Sequence, residues 1–345
     1  MTRKIRVLLV DDSLLFRETL ARELDKDFGI EVVGTASDPF MARDKILELK
    51  PDVVTLDIEM PKMGVIEFLR KLMPQYPLPV IVVSSNEKNI MKALDAGAVD
   101  FVTKPNLDKP GGLNSFINEL VVKIKIASTA KVGEYKRDYK AANPLTDINV
   151  NGDISGTVIA IGASTGGTEA IYNIITVLPR DMPGILIVQH MPPVFTKLYA
   201  DRLNNSCKLE VKEAEDGDIV KPGRVLVAAG DFHMRLKSGS SGFYVKCSHG
   251  DKVSGHCPSV DVLFNSVAEV AKNKAIGIIL TGMGSDGAKG LLNMRKQGAY
   301  TIGQDEKTSI VYGMPMVALN IGAVEKQLPL EKIPKEICDS LSLLL

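Results

Sequence analysis

Thr157-Val-Ile-Ala-Ile-Gly-Ala-Ser-Thr-Gly-Gly167 decides how the C-terminal part of the chain is read. Residues 158–161 form a short apolar run, rich in β-branched side chains and stopped by glycine, as in a fully buried strand. Gly162, Ala163, Ser164, Thr165, Gly166 and Gly167 then make a turn from the smallest side chains available. From Thr168 the period becomes helical, with Ile171, Ile174, Ile175 and Leu178 on one face and Pro179 as the stop. Strand, glycine turn and helix in that order place Ser164 beside a helix N-terminus. Free N–H groups and the positive end of the helix dipole collect there, and both favour an oxyanion. Gly162-x-Ser164-x-Gly166 also fits the bend from which a nucleophilic serine projects between small neighbours. The same residues fit a phosphate-cradling turn or a serine that caps a helix, so this stretch leaves three readings open.

Outward from this unit, strands and helices keep alternating. Strands are expected at 185–188, 209–213, 225–228, 243–245, 275–280 and 300–302. Helices are expected near 195–203, 260–271, 287–296 and, last, around 316–319. This describes an α/β domain over 154–345, with mostly parallel core strands and an irregular insertion in its middle. Chemistry-bearing residues follow two of the strands. Gln189-His190-Met191-Pro192 offers a histidine, the base that a neutral hydroxyl needs to attack a carbonyl. Thr281-Gly-Met-Gly-Ser-Asp286-Gly offers a carboxylate that could accept the other imidazole N–H and fix its tautomer. Taken singly, His190 suits a cap or a core position and Asp286 an N-cap. The order Ser, His, Asp along the chain differs from the common hydrolase orders, so geometry has to confirm the triad.

Residues 1–127 repeat the alternation five times. Strands at 5–10, 32–36, 53–56, 80–83 and 100–102 are each followed by a helix, at 13–24, 39–49, 65–73, 89–96 and 114–126. Five βα units imply a doubly wound parallel sheet, whose ligands sit at the carboxyl ends of the strands. Asp11 and Asp12 follow the first strand, Asp57 ends the third, Ser84 the fourth, and Lys104 follows the fifth. Three carboxylates converging with one lysine make a hard-oxygen site suited to Mg²⁺. Between the domains, residues 128–153 lose apolar periodicity, and Asn143-Pro144 and Asn151-Gly152 break the chain, as in a tether.

Composition bounds the partners. The 345 residues are 45% hydrophobic and 24% charged with zero formal net charge, which suits a soluble two-domain protein and disfavours nucleic acid. No apolar run approaches the roughly 20 residues that cross a bilayer, so no membrane insertion is expected. Met-Thr-Arg-Lys leads into a strand, so no signal peptide is expected either, and the expected location is the cytoplasm. Four cysteines do not make a disulfide framework in a chain of this length. Cys247-x-His249 and His256-Cys257 could in principle hold zinc. Their spacings are not those of fingers or ribbons, and an unrelated loop is the expectation.

Two resemblances cover nearly the whole chain. Asp11-Asp12, Asp57, Met60-Pro61, Ser84 and Thr103-Lys104-Pro105 make residues 1–127 similar to a response-regulator receiver domain. That resemblance implies Asp57 as acceptor of a phosphoryl group from a histidine kinase. It implies Mg²⁺ on Asp12 and Asp57 with Asp11 close by, contacts from Ser84 and Lys104, and Phe101 as the aromatic that moves on activation. Gly64-Val65 departs from the usual pattern, which has glycine where Val65 stands. The C-terminal domain resembles the catalytic domain of the chemotaxis protein-glutamate methylesterases. Ile161-Gly-Ala-Ser-Thr-Gly-Gly167, Gln189-His-Met-Pro192, Pro258-Ser-Val-Asp261, Leu280-Thr-Gly-Met-Gly284 and Gln304-Asp-Glu306 carry this likeness. Cys257 stands where that family usually has Arg, and Ser309 where it usually has Cys.

The second resemblance implies Ser164 as nucleophile, His190 as base and Asp286 as its orienter. It places Thr165 and Met283 at the site, with the Met283 N–H as an oxyanion donor. The implied activity is hydrolysis of glutamyl methyl esters, and deamidation of particular glutamines, on cytoplasmic coiled-coil helices of chemoreceptors, with no cofactor for the ester chemistry. The expectation is a monomer in which the unphosphorylated receiver restrains the esterase. Two rivals come from other classes: a switched binding module whose glycine turn holds a nucleotide, and a DNA-binding response regulator. The first has no use for His190 and Asp286, and the second lacks a basic recognition helix.

Overall fold

The computed structural model describes residues 3–60, 64–105, 111–132, 154–240 and 242–344. The chain divides into two compact units, Met1–Arg137 and Asp138–Leu345. Of the expected tether, only 128–132 is described; the rest, with Asn143-Pro144 and Asn151-Gly152, lies outside the described residues.

The first unit runs β1 (Ile5–Val10), α1 (Leu14–Leu24), β2 (Ile30–Ala36), α2 (Pro39–Leu49), β3 (Val53–Asp57), α3 (Val65–Gln75), β4 (Val80–Ser84), α4 (Glu87–Asp95), β5 (Asp100–Thr103) and α5 (Gly112–Ala127). The strands pair in parallel in the order β2-β1-β3-β4-β5. β3 and β4 are buried throughout, which is why they read as continuous apolar runs rather than alternating ones. Helix starts follow local chemistry. Asp38 Oδ1 accepts the Phe40 and Met41 N–H groups, both at 2.9 Å, with Pro39 opening α2. Val65 opens α3 as a helical residue and needs no positive φ. Pro61 and the two residues after it lie outside the described residues.

The second unit runs β6 (Val158–Ala163), α6 (Gly167–Ile175), β7 (Gly184–Gln189), α7 (Phe195–Asn204), β8 (Glu210–Glu213), β9 (Arg224–Val227), β10 (His233–Gly239), β11 (Gly242–Ser248), α8 (Val260–Val270), β12 (Ala275–Ile279), α9 (Ala288–Lys296), β13 (Tyr300–Gln304), α10 (Met314–Asn320), β14 (Lys326–Leu328) and α11 (Ile333–Leu344). Seven strands pair, all in parallel, in the order β14-β13-β12-β6-β7-β9-β8. The expected irregular insertion is instead an antiparallel hairpin, β10 with β11, in register from His233↔Ser248 to Gly239↔Gly242. The helix near residues 316–319 is not the last element. β14 and α11 follow it, and Ile333, Ile337 and Leu341 bury one face of α11.

β6 is buried along its whole length and takes β7 on one side and β12 on the other. Strand order therefore reverses at β6. In an open parallel sheet the connections leave such a point towards opposite faces, and a crevice opens at the carboxyl ends of the strands.

Candidate active site

The backbone around Ser164 is pinned on three sides. Its N–H donates to the Thr281 carbonyl at 3.0 Å, and its own carbonyl accepts Gly167 N–H at 2.7 Å and Gln189 Nε2–H at 2.9 Å. Glycines are required where this turn meets its neighbours. Gly166 lies at φ +78, and a Cβ there would stand 2.6 Å from Ile310 Cβ. At Gly282 a Cβ would stand 2.6 Å from Ser164 Cβ. Behind the turn, buried Thr281 donates Oγ1–H to the Thr165 carbonyl at 3.0 Å, and its N–H donates to Gln304 Oε1 at 2.8 Å. α6 begins three residues after Ser164, so its unsatisfied N–H groups face the serine's surroundings.

His190 follows β7, and its backbone N–H donates to the Ala163 carbonyl at 3.2 Å. Ala163 and Gln189 are register partners, so Ser164 and His190 leave two paired strands at the same level. The imidazole Nε2–H donates to Asp286 Oδ2 at 2.8 Å. Asp286 is 1% exposed and meets the start of α8. Oδ1 accepts Ser259 Oγ–H at 2.8 Å and Asp261 N–H at 3.0 Å, and Oδ2 accepts Val260 N–H at 2.7 Å. Burial alone would raise this carboxyl; the bond and charge of His190, with the N–H and O–H donors, outweigh it and hold Asp286 below the usual carboxylate range. The acid is thereby kept ionised. His190 Nδ1 is buried and has no hydrogen-bond partner among the described residues. Ser164 Oγ also makes no hydrogen bond among them, so the serine–imidazole bond of the expected triad is not formed in this conformation. Such bonds are often loose before substrate arrives. Thr165 is buried beside the serine, and Met283 is 45% exposed in the loop after β12.

In the first unit, ligand oxygens of Asp11, Asp12 and Asp57 lie within 4.8 Å of one another. Lys104 Nζ donates to Asp57 Oδ2 at 2.7 Å and stands 3.1 Å from Asp11 Oδ2. Asp11 Oδ2 is buried and its one ion-pair partner among the described residues is Lys104, so three carboxylates with hard oxygens share a single cationic side chain, a donor set that suits a divalent cation. Burial, with the Asp11 charge added, holds Asp57 above the usual carboxylate range in spite of Lys104. Ser84 is buried and its Oγ accepts Asn86 N–H at 2.9 Å. Phe101 is buried on β5 beneath Lys123 Nζ, 4.8 Å from the ring centre.

Residues 159–337 match the CheB methylesterase family, and residues 7–110 match the response regulator receiver domain. The chain belongs to the CheB methylesterase family. It is 58% identical over 331 residues to a protein-glutamate methylesterase/protein-glutamine glutaminase 2 of Syntrophomonas wolfei, covering 96% of each chain. A protein-glutamate methylesterase/protein-glutamine glutaminase of Syntrophotalea carbinolica is 52% identical over 350 residues, covering 99% of each. The crystal structure of the Thermotoga maritima CheB methylesterase catalytic domain is 43% identical with a TM-score of 0.53. It covers 54% of this chain and 98% of that one.

Within the methylesterase domain, no group of three or more close ligand atoms among the described residues contains Cys247, His249 or Cys257, which were weighed for zinc. His249 Nδ1 lies 3.1 Å from the Asp231 carbonyl, and its ring packs on Phe232. Cys247 is partly buried on β11, its thiol pushed up to about 11, chiefly by burial. His256 instead lies against His190, ring centres 3.7 Å apart and planes within 4°. Ligand atoms of His190, His256 and Asp286 lie within 4.8 Å of one another, yet one ion cannot lie in the planes of two parallel rings. Sequence reasoning did not connect His256 to the site. The available signal was its place three residues before Ser259, whose segment holds Asp286. Cys257 contributes its carbonyl to Asp231 N–H at 3.3 Å, and Ser309 is buried with Oγ–H on the Asp305 carbonyl at 2.7 Å.

Proposed function

We propose that this chain hydrolyses glutamyl methyl esters, and deamidates particular glutamines, on cytoplasmic helices of chemoreceptors, with Ser164 as nucleophile. The observation that carries the reading is the His190–Asp286 bond of 2.8 Å, which occupies Nε2 and leaves Nδ1, without a partner among the described residues, as the ring nitrogen that can take the serine's proton. Ser164 Oγ attacks the side-chain carbonyl as its proton passes to His190 Nδ1. The imidazolium is stabilised through Nε2–H by the ionised Asp286. The oxyanion forms near the N-terminus of α6, with the Met283 N–H as a further donor; such a donor contributes about 10²–10³-fold. As the tetrahedral intermediate collapses, the His190 imidazolium gives its proton to the methoxide oxygen, or to the amide nitrogen in deamidation, and methanol or ammonia leaves. Water, deprotonated by His190, releases the glutamate and restores the serine.

The receiver domain supplies control. A histidine kinase phosphorylates Asp57, with Asp11, Asp12 and Asp57 positioned to hold Mg²⁺, which would neutralise charge on the transferring group. Lys104 and Ser84 meet the phosphoryl oxygens, Phe101 repacks, and the esterase becomes more active. Both steps take place in the cytoplasm; among the described residues no helix is long and apolar enough to cross a membrane. Methanol release from methylated receptor membranes tests the reading. Ser164→Ala should abolish it while Asp57 still accepts phosphate, and near-wild-type release from that variant would refute the nucleophile.

A further inference from the structure

We propose that His256 is a positioning residue for ester hydrolysis: stacked on His190, its imidazole holds the base in one plane and stays neutral while His190 carries the proton. This rests on the triad reading above and extends it to a residue that does not itself react. Among the described residues His190 makes a single ring hydrogen bond, from Nε2–H to Asp286 at 2.8 Å. One bond leaves a ring free to tilt about the line to its acceptor, and a tilt swings Nδ1 away from the serine. The parallel ring of His256, 3.7 Å away, closes one side of that motion.

His256 is itself held firmly. Its Nδ1–H donates to the Ser254 carbonyl at 2.9 Å, and its backbone exchanges two hydrogen bonds of 3.0 Å with Val253. Between them Ser254 and Gly255 lie at φ +53 and +86, the two left-handed positions of a tight hairpin turn. Three residues further on, Ser259, Val260 and Asp261 donate to Asp286. One continuous segment, 253–261, thus fixes both the carboxylate and a face of the imidazole that the carboxylate orients.

The electrostatics agree with this geometry. Two imidazolium rings face to face would repel. Burial first, then His190 and Lys252, holds His256 below the usual imidazole range, with Asp286 and the Ser254 carbonyl pulling the other way. An uncharged ring therefore presents its face to the imidazolium formed during attack.

The test compares kcat and KM of full-length His256→Ala, His256→Phe and Ser164→Ala on methylated receptor membranes after phosphodonor treatment, with melting curves alongside. His256→Ala should lower kcat by about tenfold to a hundredfold with KM within about twofold, the signature of a misaligned base. His256→Phe keeps a flat ring and should recover most of kcat. Wild-type kcat in His256→Ala, or equal damage in the Phe variant with both proteins folded, overturns the proposal. Should His256→Ala fail to fold, His256→Leu supplies bulk without a flat face, and a kcat equal to that of the Phe variant overturns it. Activity retained by Ser164→Ala would instead refute the triad reading.

Discussion

At the residue scale, the donors around Asp286 set what each substitution does. In the proposed mechanism Ser164→Ala and His190→Ala remove the reacting groups and should be comparably severe, because the two would act as a unit. Asp286→Asn should leave more activity than either, since in that mechanism Asp286 orients without reacting. A carboxamide cannot accept from Ser259, Val260, Asp261 and His190 together, so a clear loss of kcat is still expected. Stability follows the same carboxylate. Its folded pKa is depressed, so its contribution is full above the unfolded value of about 3.9 and fades as pH falls through the folded one. In urea titrations, the stability gap between wild type and Asp286→Ala should hold constant above about pH 5 and shrink below about pH 4. A gap that widened on acidification would contradict a depressed pKa. Ser164, His190 and Asp286 stood out as candidates because each sits in a glycine- or proline-marked turn after an apolar run, and the structure joins the last two directly. His256 was not, since a stacking contact between distant turns leaves no periodic trace in sequence.

At the element scale, β6 and α8 touch so closely that only glycine fits between them. A Cβ at Gly162 would stand 2.2 Å from Val260 Cγ1, and Val260 N–H is a donor to Asp286. Gly162→Ala should therefore destabilise the methylesterase domain by about 1–3 kcal/mol. It should also lower kcat more than KM worsens, because displacing Val260 disturbs the carboxylate. Chemical denaturation and steady-state kinetics together check this, and an alanine variant matching wild type in both would refute it. The central strands announced themselves because burial on both faces demands long apolar runs. β10 did not: only Met234 and Leu236 of its seven residues are buried apolar side chains, and Arg235 and Lys237 alternate with them. β14 is shorter still, with Lys326 and Gln327 exposed, too little pattern to mark an edge strand. α11 carried a readable spacing at Ile333, Ile337 and Leu341, and stopping at residue 319 simply overlooked it.

At the scale of the whole molecule, two units with separate sheets call for an experiment on each and on both. Acetyl phosphate should modify Asp57 in the full chain only when a divalent cation is present, read by intact mass. Full modification in excess chelator would contradict the cluster of Asp11, Asp12 and Asp57. A fragment beginning near Asn151 should hydrolyse receptor esters at a rate indifferent to phosphodonor. If it proves no more active than the unphosphorylated full chain, restraint by the receiver is the wrong account of control. The order of the larger sheet carries one more consequence. Ser164 and His190 arrive on consecutive strands, whereas Asp286 follows β12, which returns to the far side of β6 only after β7, β8 and β9 have been laid down. A growing chain on the ribosome thus displays the proposed nucleophile and base long before their carboxylate is made. Closing so long a loop is the slow kind of step in building a parallel sheet. Hydrolytic competence should be the last property a newborn molecule acquires, and on refolding from urea it should return after the helical signal rather than with it.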